Sequence, residues 1–70
     1  MRPKLLDVVA LLDDLSAAGL VRGQVGTIVE ELAPGMFEVE FSDNDGRAYA
    51  LETVRAEQFL ILHHEAVAAA

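Results

Sequence analysis

The segment GQVGTIVEELAPGMFEVEF, residues 23–41, decides the fold of this 70-residue chain. Its centre, Ala33-Pro34-Gly35, is typical of a tight turn, because proline fixes φ and the glycine accepts the positive φ that follows. Before the turn, residues 27–29 are strong strand formers. After it, residues 37–41 alternate apolar side chains with glutamates, the period-two pattern of a strand with one buried face. The segment therefore predicts a β-hairpin.

Two glycines, Gly23 and Gly26, flank the start of the first strand of this hairpin. A glycine inside a strand usually marks a bulge or a close approach between two backbones. Small barrels need such positions where strands bend sharply around a corner. We therefore interpret both glycines as residues that serve the fold.

The rest of the chain supplies three more short strands. LLDVVALL at residues 5–12 predicts the first strand, and residues 47–53 predict the fourth, in which Tyr49 and Leu51 share one face. The last strand is predicted at residues 59–62. The segment 54–58 between them is too short for a helix of several turns, and we expect a single helical turn there.

Two connections complete the pattern. Residues 13–22 form the longest one, and we expect a packed loop in which Leu15, Leu20 and Val21 point inward. The segment SDNDG at residues 42–46 is rich in residues that tolerate left-handed conformations, so it predicts a second turn.

Five short strands with turns about every ten residues indicate an all-β barrel. The long first loop, the glycine-flanked second strand and the helical turn before the last strand resemble the SH3-like barrel. We assign residues 1–65 to one such five-stranded domain and residues 66–70 to a C-terminal tail. The sequence leaves open a homodimer, and also whether the N-terminal strand pairs within its own barrel or swaps into a second copy.

Composition restricts the function classes. The chain carries 12 acidic and 5 basic residues, a formal net charge of −7. This charge argues against nucleic-acid binding, which needs cations that displace phosphate counterions, and against binding to anionic membrane surfaces. The chain has no cysteine, and acidic residues interrupt the apolar run of residues 1–20, unlike a signal peptide. We expect a cytoplasmic protein.

Two resemblances bear on function. The segment 23–29 resembles the glycine-valine turn of KOW-type domains and of the nitrile hydratase β-subunit barrel. Over nearly its whole length the chain is similar to an uncharacterised family of small bacterial proteins, catalogued as a domain of unknown function. That resemblance implies a stand-alone acidic protein, often encoded beside another small gene, and suits an antitoxin or immunity role. It implies no catalytic residues. It is carried by residues 6–11, 23–30, 37–41, 45–47 and 49–51.

No constellation for catalysis, metal binding or a cofactor stands out. The loop that starts at Asp43 lacks the glutamate that a calcium loop carries at its twelfth position. The pair Asp13-Asp14 alone makes a poor cation site. Adjacent histidines on a strand, as in His63-His64-Glu65, point to opposite faces and cannot easily hold one ion. We expect a protein that is not an enzyme.

Acidic residues on adjacent strands give the main functional hypothesis. Like charges directly opposite each other destabilise a sheet, so their presence would make sense if a basic partner protein relieved the repulsion. An alternative is independent solvation of staggered glutamates, which would serve solubility. The predicted partner-binding residues are Glu30, Glu31, Glu38, Glu40, Glu52 and Tyr49.

A second hypothesis is a structural or chaperone-like subunit that assists assembly of a larger enzyme, such as a metalloenzyme. In that case an apolar rim would make the contact instead of the charges. The predicted rim residues are Leu15, Leu20, Tyr49 and Phe59.

Overall fold

Residues 2–64 are described by the computed structural model, and they form one five-stranded antiparallel sheet in the order β4-β3-β2-β1-β5. One turn of 3-10 helix, Ala56–Gln58, lies directly before the last strand. The prediction of an all-β, five-stranded SH3-like barrel with one short helical turn before its last strand is confirmed. The strands are β1 (Val8–Leu11), β2 (Val25–Ala33), β3 (Met36–Ser42), β4 (Ala48–Arg55) and β5 (Phe59–Ile61).

The β2–β3 hairpin forms where the sequence predicts it. Gly35 has a φ of 78°, the positive value that the turn after Pro34 requires. Along β3 the side chains alternate between buried and half-buried, with Phe37, Val39 and Phe41 inside. This strand lies between β2 and β4, so its inner face contributes three large side chains to the core.

One hydrophobic core lies inside the curled sheet. Phe37 and Phe59 meet edge to face, with ring centroids 5.7 Å apart and an interplanar angle of 78°, a favourable geometry for two aromatic rings. This contact joins the central hairpin to the last strand. The buried side chains are Val9, Leu11, Leu20, Ile28, Phe37, Val39, Phe41, Val54 and Phe59.

The fourth strand is longer than predicted. It continues to Arg55, so Val54 is a fully buried strand residue and not the start of the helical turn. Tyr49 and Leu51 are 50% and 53% exposed, because the register places Val54 and Ala50, not them, beside the inward-facing residues of β3. The last strand ends at Ile61, one residue earlier than predicted.

The loop between β1 and β2 is packed, but only in part as predicted. Leu20 is buried and Leu15 is half-buried against the core, and the two pair as an isolated bridge around a 3-10 turn at Ser16–Ala18. Val21 is 56% exposed, so the prediction that it points inward was wrong. Gly19 has a φ of 72° and ends the 3-10 turn, which directs the chain back toward the core.

Gly26 lies where β3 leaves no room for a side chain on β2. A Cβ atom at this residue would lie 2.6 Å from Cγ1 of Val39 and 2.9 Å from the carbonyl oxygen of Glu40. The glycine is therefore needed for space. The register shifts of the β2–β3 ladder lie farther along, between Ile28 and Glu30 and between Glu31 and Ala33, so no bulge coincides with Gly26.

Residues 2–64 form one sheet around one core, and the assignment of residues 1–65 to a single domain stays a prediction. The predicted tail at residues 66–70 lies outside the described residues.

Gly26→Ala should lower the free energy of unfolding by about 2 kcal/mol, because the added methyl overpacks the β2–β3 contact. Urea denaturation measures the loss. Adding Val39→Ala removes the atom that lies 2.6 Å away, so the double variant should lose less than the sum of the two single losses. Strictly additive losses would show that the close approach is not what requires glycine. Gly46→Ala, at a φ of 78° with open space around it, is the control for backbone conformation alone.

Candidate functional site

Three glutamates lie together on the outer face of the β2–β3 hairpin. The odd-numbered residues of β3 fill the core, so Glu38 and Glu40 project outward, about 7 Å apart along the strand. Glu30 lies directly opposite Glu38 in the β2–β3 ladder. The Cα atoms of such a pair are about 5 Å apart. We call Glu30, Glu38 and Glu40 the acidic face.

A bulge in β2 places Glu30 on this face. Ile28 lies opposite Val39, but the next pair in the ladder is Glu30 with Glu38, so Val29 is an extra residue on β2. In an unbroken ladder Val29 would face Glu38, and Glu30 would lie opposite Phe37 on the core side, because successive side chains alternate between faces. The sequence alone gives no sign of this bulge, since no glycine marks it.

Among residues 2–64, no glutamate of the acidic face lies within ion-pair distance of a cation. The ion pairs in this part of the chain are elsewhere: Arg2 with Glu31, Lys4 with Asp7 and Arg55 with Glu57. Glu38 accepts one long hydrogen bond, 3.4 Å, from the hydroxyl of Thr53 on β4. Because like charges directly opposite each other destabilise a sheet, the Glu30–Glu38 pair opposes folding.

The other two predicted glutamates lie on the opposite face of the sheet. Glu31 is opposite Phe37, and its carboxylate is 3.8 Å from the guanidinium of Arg2. Glu52 is opposite Val39 at the inner face of β4 and is half-buried. The structure thus divides the predicted group of five glutamates into three on the acidic face and two on the core side.

Tyr49, the remaining predicted binding residue, lies at a register shift in β4. The ladder pairs Phe41 with Ala50 and Ser42 with Ala48, which leaves Tyr49 as the extra residue. Its hydroxyl accepts a 2.9 Å hydrogen bond from the side-chain amide of Gln24. Tyr49 is therefore anchored beside the first glycine-rich turn and away from the acidic face.

The predicted apolar rim is not present as a surface. Leu20 and Phe59 are only 3% and 5% exposed, and Leu15 is half-buried against the same core. Tyr49 alone of the four is exposed. The prediction was wrong because the side chains that we assigned to the rim are needed to fill a core of only nine buried residues.

The acidic loops use their carboxylates to hold the backbone. The side chain of Asp43 accepts hydrogen bonds from the backbone N–H groups of Asp45 and Arg47, at 2.9 and 3.0 Å. Asp14 accepts one from the backbone N–H of Arg22 at 2.8 Å. Within residues 2–64, no three His, Asp or Glu side chains are grouped to hold a metal ion.

The histidine motif is described only in part. His63 and His64 are exposed, and Glu65 of the same motif lies outside the described residues. In the part of the chain that the structure covers, no helix has the length and apolar character needed to cross a membrane.

Residues 5–61 match the family described as Domain of unknown function (DUF4926). The chain belongs to this family. The DUF4926 match begins just before β1 and ends at the last residue of β5, so it spans the whole sheet and the acidic face. All the segments that carried the family resemblance lie within it. No curated protein and no solved structure matches the chain.

A turn that the sequence did not reveal precedes β1 of this DUF4926 domain. The carboxylate of Asp7 accepts hydrogen bonds from the backbone N–H and from the ammonium group of Lys4, at 3.0 and 2.9 Å. Leu6 inside the turn has a φ of 71°, unusual for a residue other than glycine. The turn explains why β1 begins at Val8, whereas the apolar run predicted a strand from residue 5.

The side-chain hydrogen bond from Lys4 holds the pKa of Asp7 below its ordinary value, although partial burial acts in the opposite direction. Further lowering comes from the backbone N–H of Lys4 and from the positive charges of Lys4 and His63. A carboxylate with a lowered pKa in the folded state stabilises the fold above its unfolded pKa, about 3.9, and loses that contribution as the pH falls through the folded value.

Asp7→Asn should therefore reduce stability at neutral pH, and the difference from the natural protein should disappear in acid, at pH values below the lowered pKa of Asp7 in the folded state. Thermal denaturation monitored by circular dichroism across this pH range measures both limits. Asp13→Asn, which removes the same formal charge from an exposed loop position, is the control and should leave the pH dependence of thermal stability nearly unchanged. A difference for Asp7→Asn that is the same at every pH would contradict the assignment.

Glu30→Gln should stabilise the protein by about 0.5 kcal/mol, because it removes the repulsion from Glu38 across the ladder. The gain should shrink in about 1 M salt, which screens exposed charges. Urea denaturation at low and high salt measures it. Glu57→Gln, which removes a charge that is 3.5 Å from Arg55, should give no such gain. A destabilised Glu30→Gln variant would show that the pair is not repulsive.

Proposed function

We propose that this protein is a non-catalytic protein-binding module whose acidic face docks onto a basic surface of a cognate protein. The observation that supports this most is the direct opposition of Glu30 and Glu38, with no cation within ion-pair distance among the described residues. Such an arrangement costs folding free energy in the isolated protein. A Lys or Arg from a partner placed between the two carboxylates would convert the repulsion into attraction.

The overall charge supports the same kind of partner. A net charge of −7 on 70 residues repels nucleic acids and anionic membranes, and it attracts cationic proteins over distances comparable to the Debye length. Charges arranged in this way raise the rate of association and select among partners more than they add to affinity. The partner that we propose is therefore a basic protein.

The biological setting is part of the proposal. The family resemblance, to small stand-alone acidic proteins of bacteria, supports a cytoplasmic partner that is the product of a neighbouring gene. In that setting the acidic face would act as an antitoxin or immunity protein does, by covering a basic functional surface of its partner. Neutralisation of this kind needs no catalytic group on the acidic protein.

A structural or chaperone-like subunit of a metalloenzyme is the competing proposal, prompted by the resemblance to KOW-type and nitrile hydratase barrels. It requires an exposed apolar contact surface. Of the four rim residues only Tyr49 is exposed, and its hydroxyl is already bonded to Gln24. On the acidic face Glu30 is exposed, Glu38 and Glu40 are half-buried, and none has an ion-pair partner in residues 2–64, so we favour the charge-based function.

Replacing Glu38 and Glu40 with Gln should weaken binding to the neighbouring-gene product by about tenfold at low salt, and it should flatten the dependence of affinity on salt. Titration calorimetry at about 0.05 and 0.5 M salt measures both effects. The matched control is Asp13→Asn with Glu57→Gln, which removes two exposed charges away from the acidic face.

The outcome separates the two proposals. If the control variant loses as much affinity as the Glu38 and Glu40 variant, only net charge matters and the acidic face is not the binding site. If instead Tyr49→Ala lowers the affinity equally at both salt concentrations while the glutamate changes have no effect, the contact is apolar and the charge-based function is wrong.

A further inference from the structure

The strand β4 forms a long free edge of the sheet. It is the terminal strand of the order β4-β3-β2-β1-β5, and among residues 2–64 it pairs only with β3. It has eight residues, whereas β5 at the other end of the order has three. A long edge strand offers unpaired backbone groups to any extended chain that comes alongside it.

Hydrogen bonds at both ends of β3 show which backbone groups of β4 are free. The backbone N–H of Asp43 donates to the carbonyl oxygen of Arg47 at 2.9 Å. At the other end, the backbone N–H of Ala56 donates to the carbonyl oxygen of Gly35 at 3.0 Å. Odd-numbered residues of β3 therefore bond toward β4, since bonding direction alternates along a strand. Their register partners on β4 are Ala50, Glu52 and Val54.

The residues between these partners, Leu51 and Thr53, direct their N–H and C=O groups away from β3. Arg55 follows the same alternation, and its N–H donates to the side-chain oxygen of Gln58 at 3.0 Å instead of to β3. This bond confirms the outward direction and satisfies the donor at the end of the strand. The donors left open to a partner chain are those of Leu51 and Thr53.

One inward-pointing charge protects this edge from unwanted pairing. Natural edge strands avoid unwanted pairing with lysine, proline, bulges or an inward-pointing charge. The sequence of β4, AYALETVR, has no lysine or proline, and its bulge is at Tyr49 near the start. Glu52 is the inward-pointing charge, half-buried and without a cation in ion-pair range among the described residues. An incoming strand must neutralise it.

We infer that the free edge of β4 binds an extended segment of the cationic partner as a sixth strand, with a Lys or Arg opposite Glu52 and backbone hydrogen bonds to Leu51 and Thr53. The inference rests on the proposed function, because it specifies which kind of segment of the basic partner protein binds and to which strand of this protein. Addition of a strand to a sheet edge is a common mode of peptide recognition.

Charge favours a basic segment over a second copy of this chain. A second copy would bring the same net charge of −7 and its own Glu52 to the edge. A strand in which basic residues alternate with apolar ones instead places its cations on the Glu52 side of the sheet. Its apolar side chains then lie beside Leu51, which is 53% exposed.

The test uses a synthetic eight-residue peptide in which lysine alternates with valine. Amide hydrogen exchange, followed by NMR, is compared in the full chain with and without saturating peptide. Exchange at Leu51 and Thr53 should be fast in the free protein and at least about tenfold slower in the complex. The amides of Glu52 and Val54 are bonded to β3 already and should change little.

Two variants make the assignment specific. Leu51→Pro removes an outward N–H without removing a bond to β3, and it should weaken peptide binding by about tenfold. Glu52→Gln should weaken it by about fivefold. Glu57→Gln is the matched control and should leave the affinity unchanged. If Leu51→Pro fails to fold, the exchange pattern of the natural chain still decides the question.

Each outcome decides between the edge and its alternatives. Peptide binding that depends on Glu38 and Glu40, with no slowing at Leu51 and Thr53, overturns the edge inference and leaves the proposed function standing. No binding at millimolar peptide also overturns it, and the titration with the neighbouring-gene product then judges the proposed function separately. Slow exchange at Leu51 and Thr53 in the free protein, together with a dimeric mass in sedimentation, would assign the edge to a second copy.

Discussion

The close contact of Gly26 with Val39 and Phe41 is the constraint on which the rest of the sheet depends. It brings β2 against the inner face of β3 at a distance that leaves no room for a Cβ atom. The sheet can then curl tightly enough for Phe37 on β3 to meet Phe59 on β5. The core formed by residues 2–64 has only nine buried side chains and little apolar area to lose, so small gaps at this contact would be costly.

The register shifts of the β2–β3 hairpin determine which glutamates lie on the outer face of the sheet and which lie on the core side. Beyond Gly26 the ladder shifts register twice between Ile28 and Ala33 of β2. The first shift turns Glu30 outward to face Glu38, and Glu31 therefore lies opposite Phe37 on the inner side, near Arg2. Two adjacent glutamates therefore have different roles: Glu31 has an ion-pair partner within the chain, and Glu30 has a like charge opposite it.

Much of the fold follows from sequence patterns that depend on local chemistry. The alternation at residues 37–41, the turn at Pro34-Gly35 and the polar turn at residues 42–46 each predict the observed structure, because burial period and backbone φ are properties of a few neighbouring residues. The inward direction of Val21 and the end of the fourth strand were predicted wrongly. Both depend on the register between strands far apart in sequence, which no local pattern specifies.

The candidate site was predictable only in its composition. The sequence shows that glutamates are in excess on β2, β3 and β4. Which of them face each other depends on the bulge at Val29, and no glycine or proline marks that position. The turn held by Lys4 and Asp7 was not predicted either, because Asp7 lies within a run of apolar residues that by itself indicates a continuous strand. The free edge of β4 needed the full strand order and the bonding direction of β3.

The bulge at Val29 also constrains how the length of this hairpin can vary among related chains. Side chains alternate between the two faces, so the loss or gain of one residue between Val29 and the turn exchanges the faces of the β2 residues beyond it, whereas the loss of Val29 itself would only remove the bulge. A change of two residues preserves them. Viable insertions and deletions at the tip of the hairpin should therefore come in even numbers, unless a second bulge restores the phase.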